Sequence, residues 1–236
     1  ESSGGGGGRL AAGAEVTARG LEMESGEPST DAGSHRDDRR PRCRWAVGSS
    51  PELLRYHDRE WGVPLHGESA LLEMLTLEGA QAGLSWTTVL SRRPRYREAF
   101  AGFDPEILAS WGDADLERLL TDRGLIRHRG KLASVIANAR VVRQLHDEGS
   151  ALDQLLWSSV EGAPLQPRYP PEAGPPSVTA ESTALSRRLR QLGFKFLGPT
   201  STLSLMQACG LTNDHTTDCF RQAGLESTAG PEAGAG

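Results

Sequence analysis

A histidine and a cysteine four residues apart, His215 and Cys219, lie near the C-terminal end of the apolar part of the chain. If this stretch is helical, both side chains share one face. An imidazole and a thiolate make half of a tetrahedral zinc site, and Cys43 and His57 are the best candidates for the other half. One zinc ion held by all four would join the beginning of the fold to its end. The alternative is a buried cysteine beside a surface histidine, because short motifs often match by chance.

A glutamate with apolar neighbours is the second candidate for chemistry. Glu78 stands in a stretch of mainly apolar residues and is followed by Trp86. A carboxylate close to Trp86, and to Tyr56 and Trp45 if the fold brings them near, would form an aromatic pocket with one acidic group. The alternative is a solvent-facing glutamate, which is the commoner state of this residue.

The stretch from Gly193 to Thr200 predicts a backbone site for phosphate. Glycines at Gly193 and Gly198 permit positive φ, and the helix that follows points its N-terminus outward, where amide groups bind anions. Lys195 would add positive charge. The pattern resembles a degenerate hairpin of the helix-hairpin-helix DNA-binding kind. An ordinary helical turn with a glycine stop fits the sequence about as well.

Basic residues concentrate in three short groups that would neutralise phosphates if they shared one face. Solvated surface arginines are the alternative. The groups are Arg92–Arg97, Arg127–Lys131 (with Arg127, Arg129 and Lys131) and Arg187–Arg190 with Lys195.

The sequence predicts that short helices position these residues. Apolar residues recur at helical spacing, and no sustained alternation of apolar and polar residues, typical of strands, appears. Asp104 and Pro105 form a helix start, and Gly83 and Gly124 are helix stops. We therefore predict an all-α fold. The predicted helices are Ser69 (as N-cap) to Ala82, one from Asp104, one from Asp113, one containing Leu132–Val142, Ala151–Val160, Ala184–Leu192 and Ser201–Cys209.

The composition divides the chain into three parts. Residues 1–40 and 222–236 are poor in large apolar side chains, so we expect disordered tails around a folded domain at 41–221. The formal charge of −5 comes from the ends: residues 1–41 and 222–236 hold five Arg and ten Asp or Glu, which leaves 21 of each sign between them. Three cysteines indicate reduced thiols and a cytoplasmic protein. We expect neither a signal peptide nor a membrane span.

Six blocks of sequence resemble the DNA-3-methyladenine glycosylase I family, in order, over about residues 41–219. The blocks are Cys43-x-Trp45, Tyr56-His-Asp-x-Glu-Trp-Gly-Val-Pro64, Leu77-Glu-Gly-x-Gln-Ala-Gly-Leu-Ser-Trp86, Ile126-Arg-His-Arg-Gly-Lys131, Gly193-Phe-Lys-Phe-x-Gly198 and Met206-Gln-Ala-Cys-Gly-Leu-x-Asn-Asp-His215.

The resemblance implies a helix-hairpin-helix glycosylase with one structural zinc ion on Cys43, His57, His215 and Cys219. It implies that Glu78 reads the base, with Trp86, Tyr56 and Trp45 around it. The expected reaction is hydrolysis of the N-glycosidic bond of N3-methyladenine flipped from double-stranded DNA by a monomeric, monofunctional enzyme. Leu53 stands near the place where relatives have a second tyrosine.

Two other classes of protein remain open. A zinc-containing helix-hairpin-helix module could bind DNA without catalysis. An endonuclease III-like lyase would need four cysteines for an iron–sulfur cluster, and this chain has three.

Overall fold

The computed structural model describes residues 40–226, all within one compact unit. The predicted tail at 1–40 lies outside them except for its last residue, and residues 227–236 also lie outside. The described part is helical and contains no strand, which confirms the all-α prediction. Its helices are α1 Pro51–Arg59, α2 Glu68–Gln81, α3 Trp86–Leu90, α4 Arg93–Ala99, α5 Pro105–Ala109, α6 Asp113–Thr121, α7 Arg129–Asp147, α8 Leu152–Trp157, α9 Ala180–Gln191, α10 Pro199–Ala208 and α11 Phe220–Glu226, with 3₁₀ turns at Ala101–Phe103 and Ser158–Val160.

Helix α2 is the centre of the fold. Every residue from Leu71 to Ala80 is buried, as expected for a helix that is largely apolar on all sides. Helix α7 packs against α5 and α6, and α10 packs against both α9 and α2. The two acidic residues inside this buried stretch, Glu73 and Glu78, therefore have to be buried with it.

Helix starts follow local side-chain chemistry. The Asp104 carboxylate accepts hydrogen bonds from the Glu106 and Ile107 amides, as predicted for the start of α5.

Three predicted starts are wrong. Helix α2 begins at Glu68 after Gly67 rather than at a Ser69 cap, and α9 begins at Ala180, where a capping box of Thr179 and Ser182 sets the first turn. Helix α10 begins at Pro199 rather than at Ser201, because proline suits the first turn.

The C-terminal boundary also needs correction. The predicted disordered tail from residue 222 begins inside α11, which continues to Glu226. Gln222 and Leu225 are buried. The contacts of this short helix with the rest of the fold stabilise a segment whose composition alone resembles a tail.

None of the described helices is long and apolar enough to cross a bilayer.

Candidate active site and metal centre

Four buried side chains meet between the first and the last parts of the described chain. The ligand atoms of Cys43, His57, His215 and Cys219 all lie within 4.8 Å of one another. The Cys43 Sγ lies 3.5 Å from His215 Nδ1. The Cys219 Sγ lies 3.5 Å from His57 Nε2 and 3.4 Å from His215 Nδ1. The structure thus brings together the four predicted metal ligands.

The spacing of these atoms fits a tetrahedral metal ion. With metal–sulfur and metal–nitrogen bonds of about 2.3 and 2.0 Å, a tetrahedron has sulfur–nitrogen edges of about 3.5 Å. All four side chains are buried, and the donor set of two thiols and two imidazoles is the one that zinc takes in structural sites. The residues present therefore suit the metal.

Hydrogen bonds fix the orientation of both imidazoles. The Nδ1–H of His57 donates to Asp58 Oδ1 over 2.8 Å, and the Nε2–H of His215 donates to the carbonyl oxygen of Trp61 over 3.0 Å. The opposite ring nitrogen of each histidine is then free to bind a cation. Burial acts to raise the pKa of Asp58, but hydrogen bonds from Arg42 and His57 lower it overall, so the carboxylate stays charged.

The two thiols differ in acidity. The hydrogen bond between the two thiols lowers the pKa of Cys219, and the same bond, together with burial, raises the pKa of Cys43. Cys219 therefore gives up its proton first. A bound cation would favour the thiolate form of both, because thiolate is the form that ligates.

The segment that carries His215 and Cys219 is not helical, so the two side chains do not meet by sharing a helix face. Its backbone pairs with a proline-rich loop through isolated parallel bridges, Leu165 to Thr212 and Tyr169 to Thr216. Amide groups that donate across to this loop cannot donate along a helix. A turn, in which the Cys219 amide donates to the Thr216 carbonyl oxygen over 2.8 Å, brings the two ligands together instead.

Glu78 is a buried acid without a partner. It is 5% exposed, and no hydrogen bond or ion pair reaches its carboxyl group from residues 40–226. Burial raises its pKa to about 8. Glu73, on the same helix, differs because Arg93 and Arg97 both pair with it. Acids with strongly displaced pKa and no structural partner are typical of functional sites.

Aromatic rings stand next to this acid. Tyr56 is buried, and its pKa is raised by burial and by the nearby charge of Glu78. Its ring centroid lies 5.5 Å from that of Trp86, at an interplanar angle of 56°. The indole N–H of Trp86 is buried and has no hydrogen-bond partner in the described part of the chain. An acid and two aromatic rings are thus grouped here with a buried N–H that no described residue satisfies, and their contact with a base stays a prediction.

Trp45 lies elsewhere than the prediction suggested. Its ring packs edge-on against His57 and Trp61, with centroids 5.0 Å away in each case. It lies beside His57 of the candidate metal centre and remains 39% exposed. Among residues 40–226 it makes no ring contact with Tyr56 or Trp86, so contact with a base stays a prediction for this residue.

The first basic group is paired with other groups of the protein. All four of its arginines bind protein acceptors, although Arg95 and Arg97 remain about half exposed. Arg92 donates to the carbonyl oxygens of Arg123 and Gly124, Arg93 pairs with Glu60 and Glu73, Arg95 pairs with Glu98 and Asp122, and Arg97 pairs with Glu73.

The three residues of the second basic group have different surroundings. Arg127 is exposed and has no side-chain partner among the described residues. Arg129 pairs with Glu117 on the surface. Lys131 is directed into the protein, where its ammonium group donates to the carbonyl oxygens of Ala80 and Ala82, at 2.9 and 2.6 Å. Only Arg127 of the three predicted contacts is thus left without a protein acceptor.

The turn between α9 and α10 is exposed at its tip, and buried side chains hold its backbone by hydrogen bonds. The Lys195 amide donates to Asn138 Oδ1 over 2.8 Å, and Ser186 Oγ donates to the Leu197 carbonyl oxygen over 2.7 Å. Both supporting side chains are buried. The Lys195 side chain is exposed, and α10 begins directly after Gly198. The predicted turn is confirmed, and its backbone is held rigidly.

Two apolar residues near these sites are exposed, and the sequence offered no reason to assign them a function. Leu84, 40% exposed, follows Gly83 in the loop between Glu78 and Trp86, and Phe196, 41% exposed, follows Lys195. Phe196 also has a φ of 60°, a strained value for a residue with a side chain. A lone apolar residue in a glycine-containing loop is a weak signal for exposure, and only the structure revealed it.

Comparison with known proteins gives consistent results. The sequence profile described as methyladenine glycosylase matches residues 45–222. The DNA-3-methyladenine glycosylase 1 of Escherichia coli (strain K12) is 46% identical over 178 residues, which cover 75% of this chain and 95% of that protein. The DNA-3-methyladenine glycosylase of Haemophilus influenzae is 41% identical over 178 residues, which cover 75% of this chain and 96% of the relative.

A solved structure supports the same assignment. A 3-methyladenine DNA glycosylase I from Staphylococcus aureus, described as showing the structural basis of 3-methyladenine recognition, aligns with a TM-score of 0.73 at 36% identity. The alignment covers 77% of this chain and 96% of that one. The helical architecture and this likeness define the class as the helical DNA glycosylases. Within that class, the chain belongs to the methyladenine glycosylase family.

Proposed function

We propose that this protein is a base-excision repair glycosylase that flips N3-methyladenine out of double-stranded DNA and hydrolyses its N-glycosidic bond. The products are the free base and an abasic site. The observation that carries the proposal is the buried Glu78, which has no partner among residues 40–226, near Tyr56 and Trp86. The relatives of the chain are named for this activity.

Glu78 reads the edge of the flipped base. A buried polar group without a partner costs free energy, and a hydrogen bond from the exocyclic amino group of adenine relieves that cost. A base that cannot make this bond leaves the acid unsatisfied and is rejected. A carboxyl group whose pKa is about 8 also changes charge readily near neutral pH, which suits a ring that arrives with a positive charge.

The aromatic rings favour the damaged base because methylation at N3 leaves the ring electron-poor and cationic. Trp86 and Tyr56 present π-surfaces that attract such a ring. When the bond from N9 to the anomeric carbon breaks, the ring keeps the electron pair and leaves as a neutral base. Water adds to the anomeric carbon and releases its proton to solvent. Because the leaving group is already good, modest assistance suffices.

DNA is held by the turn at Gly193 to Gly198 and by basic residues near it. Lys195, Arg127 and the α10 N-terminus offer charge and amide groups to phosphates. Arg187 and Arg190 border a polar cavity of about 530 Å³ at the start of α10 and add positive charge there. Arg129 reaches a phosphate only by leaving Glu117.

Leu84 is suited to enter the base stack. It is exposed at the loop that connects the helix of Glu78 to the helix of Trp86. Proteins that distort DNA insert apolar side chains between base steps, and flipping leaves a gap at the position of the extruded nucleotide. Leu84 fills that gap.

Zinc is the metal of the cysteine and histidine cluster, one ion per chain, with a structural role. When bound, it supplies a cross-link among four protein ligands and no open position for water. All four ligands come from one chain, which is consistent with a monomeric enzyme.

Incubation with methylated DNA, followed by identification of the released bases, tests the function. We expect release of 3-methyladenine from methylated DNA and no release of normal bases from untreated DNA. Glu78→Gln should slow release about 100-fold, whereas Glu172→Gln, an exposed loop control, should match the wild type.

A non-catalytic DNA-binding module is the other candidate. It would bind the same DNA and release nothing, so retention of every methylated base by the metal-loaded wild-type protein would exclude the glycosylase proposal.

A further inference from the structure

Lys131 lies in the first turn of α7, in a group of residues whose sequence suggests contacts to DNA phosphates. Its ammonium group instead donates to the carbonyl oxygens of Ala80, at 2.9 Å, and Ala82, at 2.6 Å. The residue is half-buried. An ammonium group bound to two carbonyl oxygens has at most one donor left for anything else.

The two carbonyl groups belong to the C-terminal end of α2. The last turn of a helix has carbonyl groups without intrahelical partners and carries partial negative charge, which a cation stabilises. Helix α2 has no basic residue in its own last turn. Lys131 supplies the missing cation from another helix.

The segment held in this way connects the two halves of the base pocket. Ala82 to Ser85 runs from the helix of Glu78 to the helix of Trp86 and includes the exposed Leu84. Gly83 has a φ of 81° and open space around it, so its backbone has many alternatives. The Leu84 amide does bond the Gln81 carbonyl oxygen over 2.7 Å, but Lys131 ties the segment to a distant part of the fold.

The start of α7 also contacts the phosphate-binding turn. A Cβ on Gly130 would lie 3.5 Å from Cζ of Phe196, and a Cβ on Gly79 would lie 3.4 Å from Cβ of the same residue. The Phe196 ring is therefore close to both α7 and α2. Lys131 and Phe196 together connect the turn at Gly193 to Gly198 with the helix that carries Glu78.

We infer that Lys131 is a positioning residue for base excision, which holds Glu78, Leu84 and Trp86 in one arrangement and does not contact phosphate. The inference rests on the proposed glycosylase function. It distinguishes Lys131 from Lys195, whose side chain is exposed at the tip of the turn.

The salt dependence of DNA binding separates the two roles. Loss of one phosphate contact changes the slope of log K against log salt by about 0.9. We expect Lys195→Met to show that change and Lys131→Met to keep the wild-type slope, both measured on a duplex with a tetrahydrofuran abasic-site analogue.

Single-turnover release of 3-methyladenine at saturating enzyme measures the positioning. Lys131→Met should lower this rate about 10- to 100-fold, since two charge-assisted hydrogen bonds are lost, one to the last turn of α2 and one to the segment that follows it. Lys131→Arg keeps the charge and the donors and should recover most of the rate. Lys131→Gln, with a neutral donor, should fall between them and serves if the Met variant folds poorly.

Hydrogen exchange provides a readout that does not depend on catalysis. Amides of residues 82–86 should exchange faster in Lys131→Met than in the wild type, while those of α9 should not. The exchange experiment tests the positioning by Lys131 even if the wild-type protein releases no base. That second outcome would count against the proposed function and not against the contact of Lys131 with the segment.

Two results would overturn the inference. A reduced salt slope in Lys131→Met would identify a phosphate contact, whatever happens to the rate. An unchanged single-turnover rate in Lys131→Met would show that holding the segment does not matter for excision.

Discussion

At the residue scale, two acids on one helix show how context decides between structure and function. Glu73 and Glu78 are both buried in α2. Glu73 binds Arg93 and Arg97, so its charge is compensated. Glu78 has no such partner in the described region, and its pKa is raised to about 8 by burial. The fold tolerates this acid at a cost in stability, as functional sites often require.

That cost predicts a pH dependence of stability. Below pH 4.5 the acid is protonated in both states. Between pH 4.5 and about 8 the unfolded state loses the proton and the folded state keeps it, so the free energy of unfolding falls as pH rises. The total is on the order of 5 kcal/mol. Glu78→Gln removes this contribution, and the variant should gain stability relative to the wild type from about pH 5 to about pH 9.

Urea unfolding of both proteins across this pH range measures the difference. Glu172→Gln, at an exposed position, should track the wild type at every pH. A constant difference between wild type and Glu78→Gln would mean that Glu78 ionises in the folded state near its ordinary pKa.

At the element scale, the C-terminal end of α10 depends on close contact with the segment after α1. The Gln207 and Cys209 carbonyl oxygens accept bonds from the Gly62 amide, at 2.9 Å, and the Leu65 amide, at 3.0 Å. Gly210 ends the helix with a φ of 69°, and a Cβ there would fall inside the backbone of Val63 and Pro64. Glycine is needed here for space as well as for backbone conformation.

Gly210→Ala should therefore destabilise the protein by more than about 4 kcal/mol, because backbone has to move. Gly149→Ala is the matched control: its φ is 75°, and nothing lies within 4 Å of a new Cβ. It should cost only about 1–2 kcal/mol. Thermal and urea unfolding measure both variants, and equal losses would show that conformation alone explains the glycine.

At the scale of the whole molecule, the cluster of two cysteines and two histidines joins distant parts of the chain. Cys43 precedes α1, His57 lies in α1, and His215 and Cys219 follow α10. A metal ion bound only by the folded state stabilises that state by its binding free energy. It also brings the segment with Tyr56 against the rest of the pocket.

Removal of the metal should lower the midpoint of thermal unfolding by about 10 °C or more. We expect one zinc and no iron per chain by elemental analysis. Cys219→Ser should lose the zinc and show the same lowered midpoint without chelator. Cys209→Ala, which removes a buried thiol outside the cluster, should retain it. A zinc-free protein with the wild-type midpoint would contradict the structural role.

The sequence by itself determined the kind of chemistry. Helical spacing predicted the helical class because periodicity reports which face of a segment is buried. The grouping of Cys43, His57, His215 and Cys219 was predictable because few residue types bind transition metals, and these four were the candidates that the sequence offered. Glu78 and its aromatic neighbours stood out through their apolar surroundings and through blocks that resemble one family.

Only the tertiary structure decided which charged groups already bind other groups of the protein. Lys131, Arg93 and Arg97 look like phosphate contacts in the sequence, but their acceptors are 20 to 51 residues away along the chain. The segment at His215 does not form a helix because its backbone amides donate hydrogen bonds to the loop at Leu165. Composition and periodicity are local, whereas hydrogen bonds and ion pairs form between segments that only folding brings together. The lack of a partner for Glu78 among the described residues has the same origin, because it depends on which side chains the neighbouring helices place near its carboxyl group.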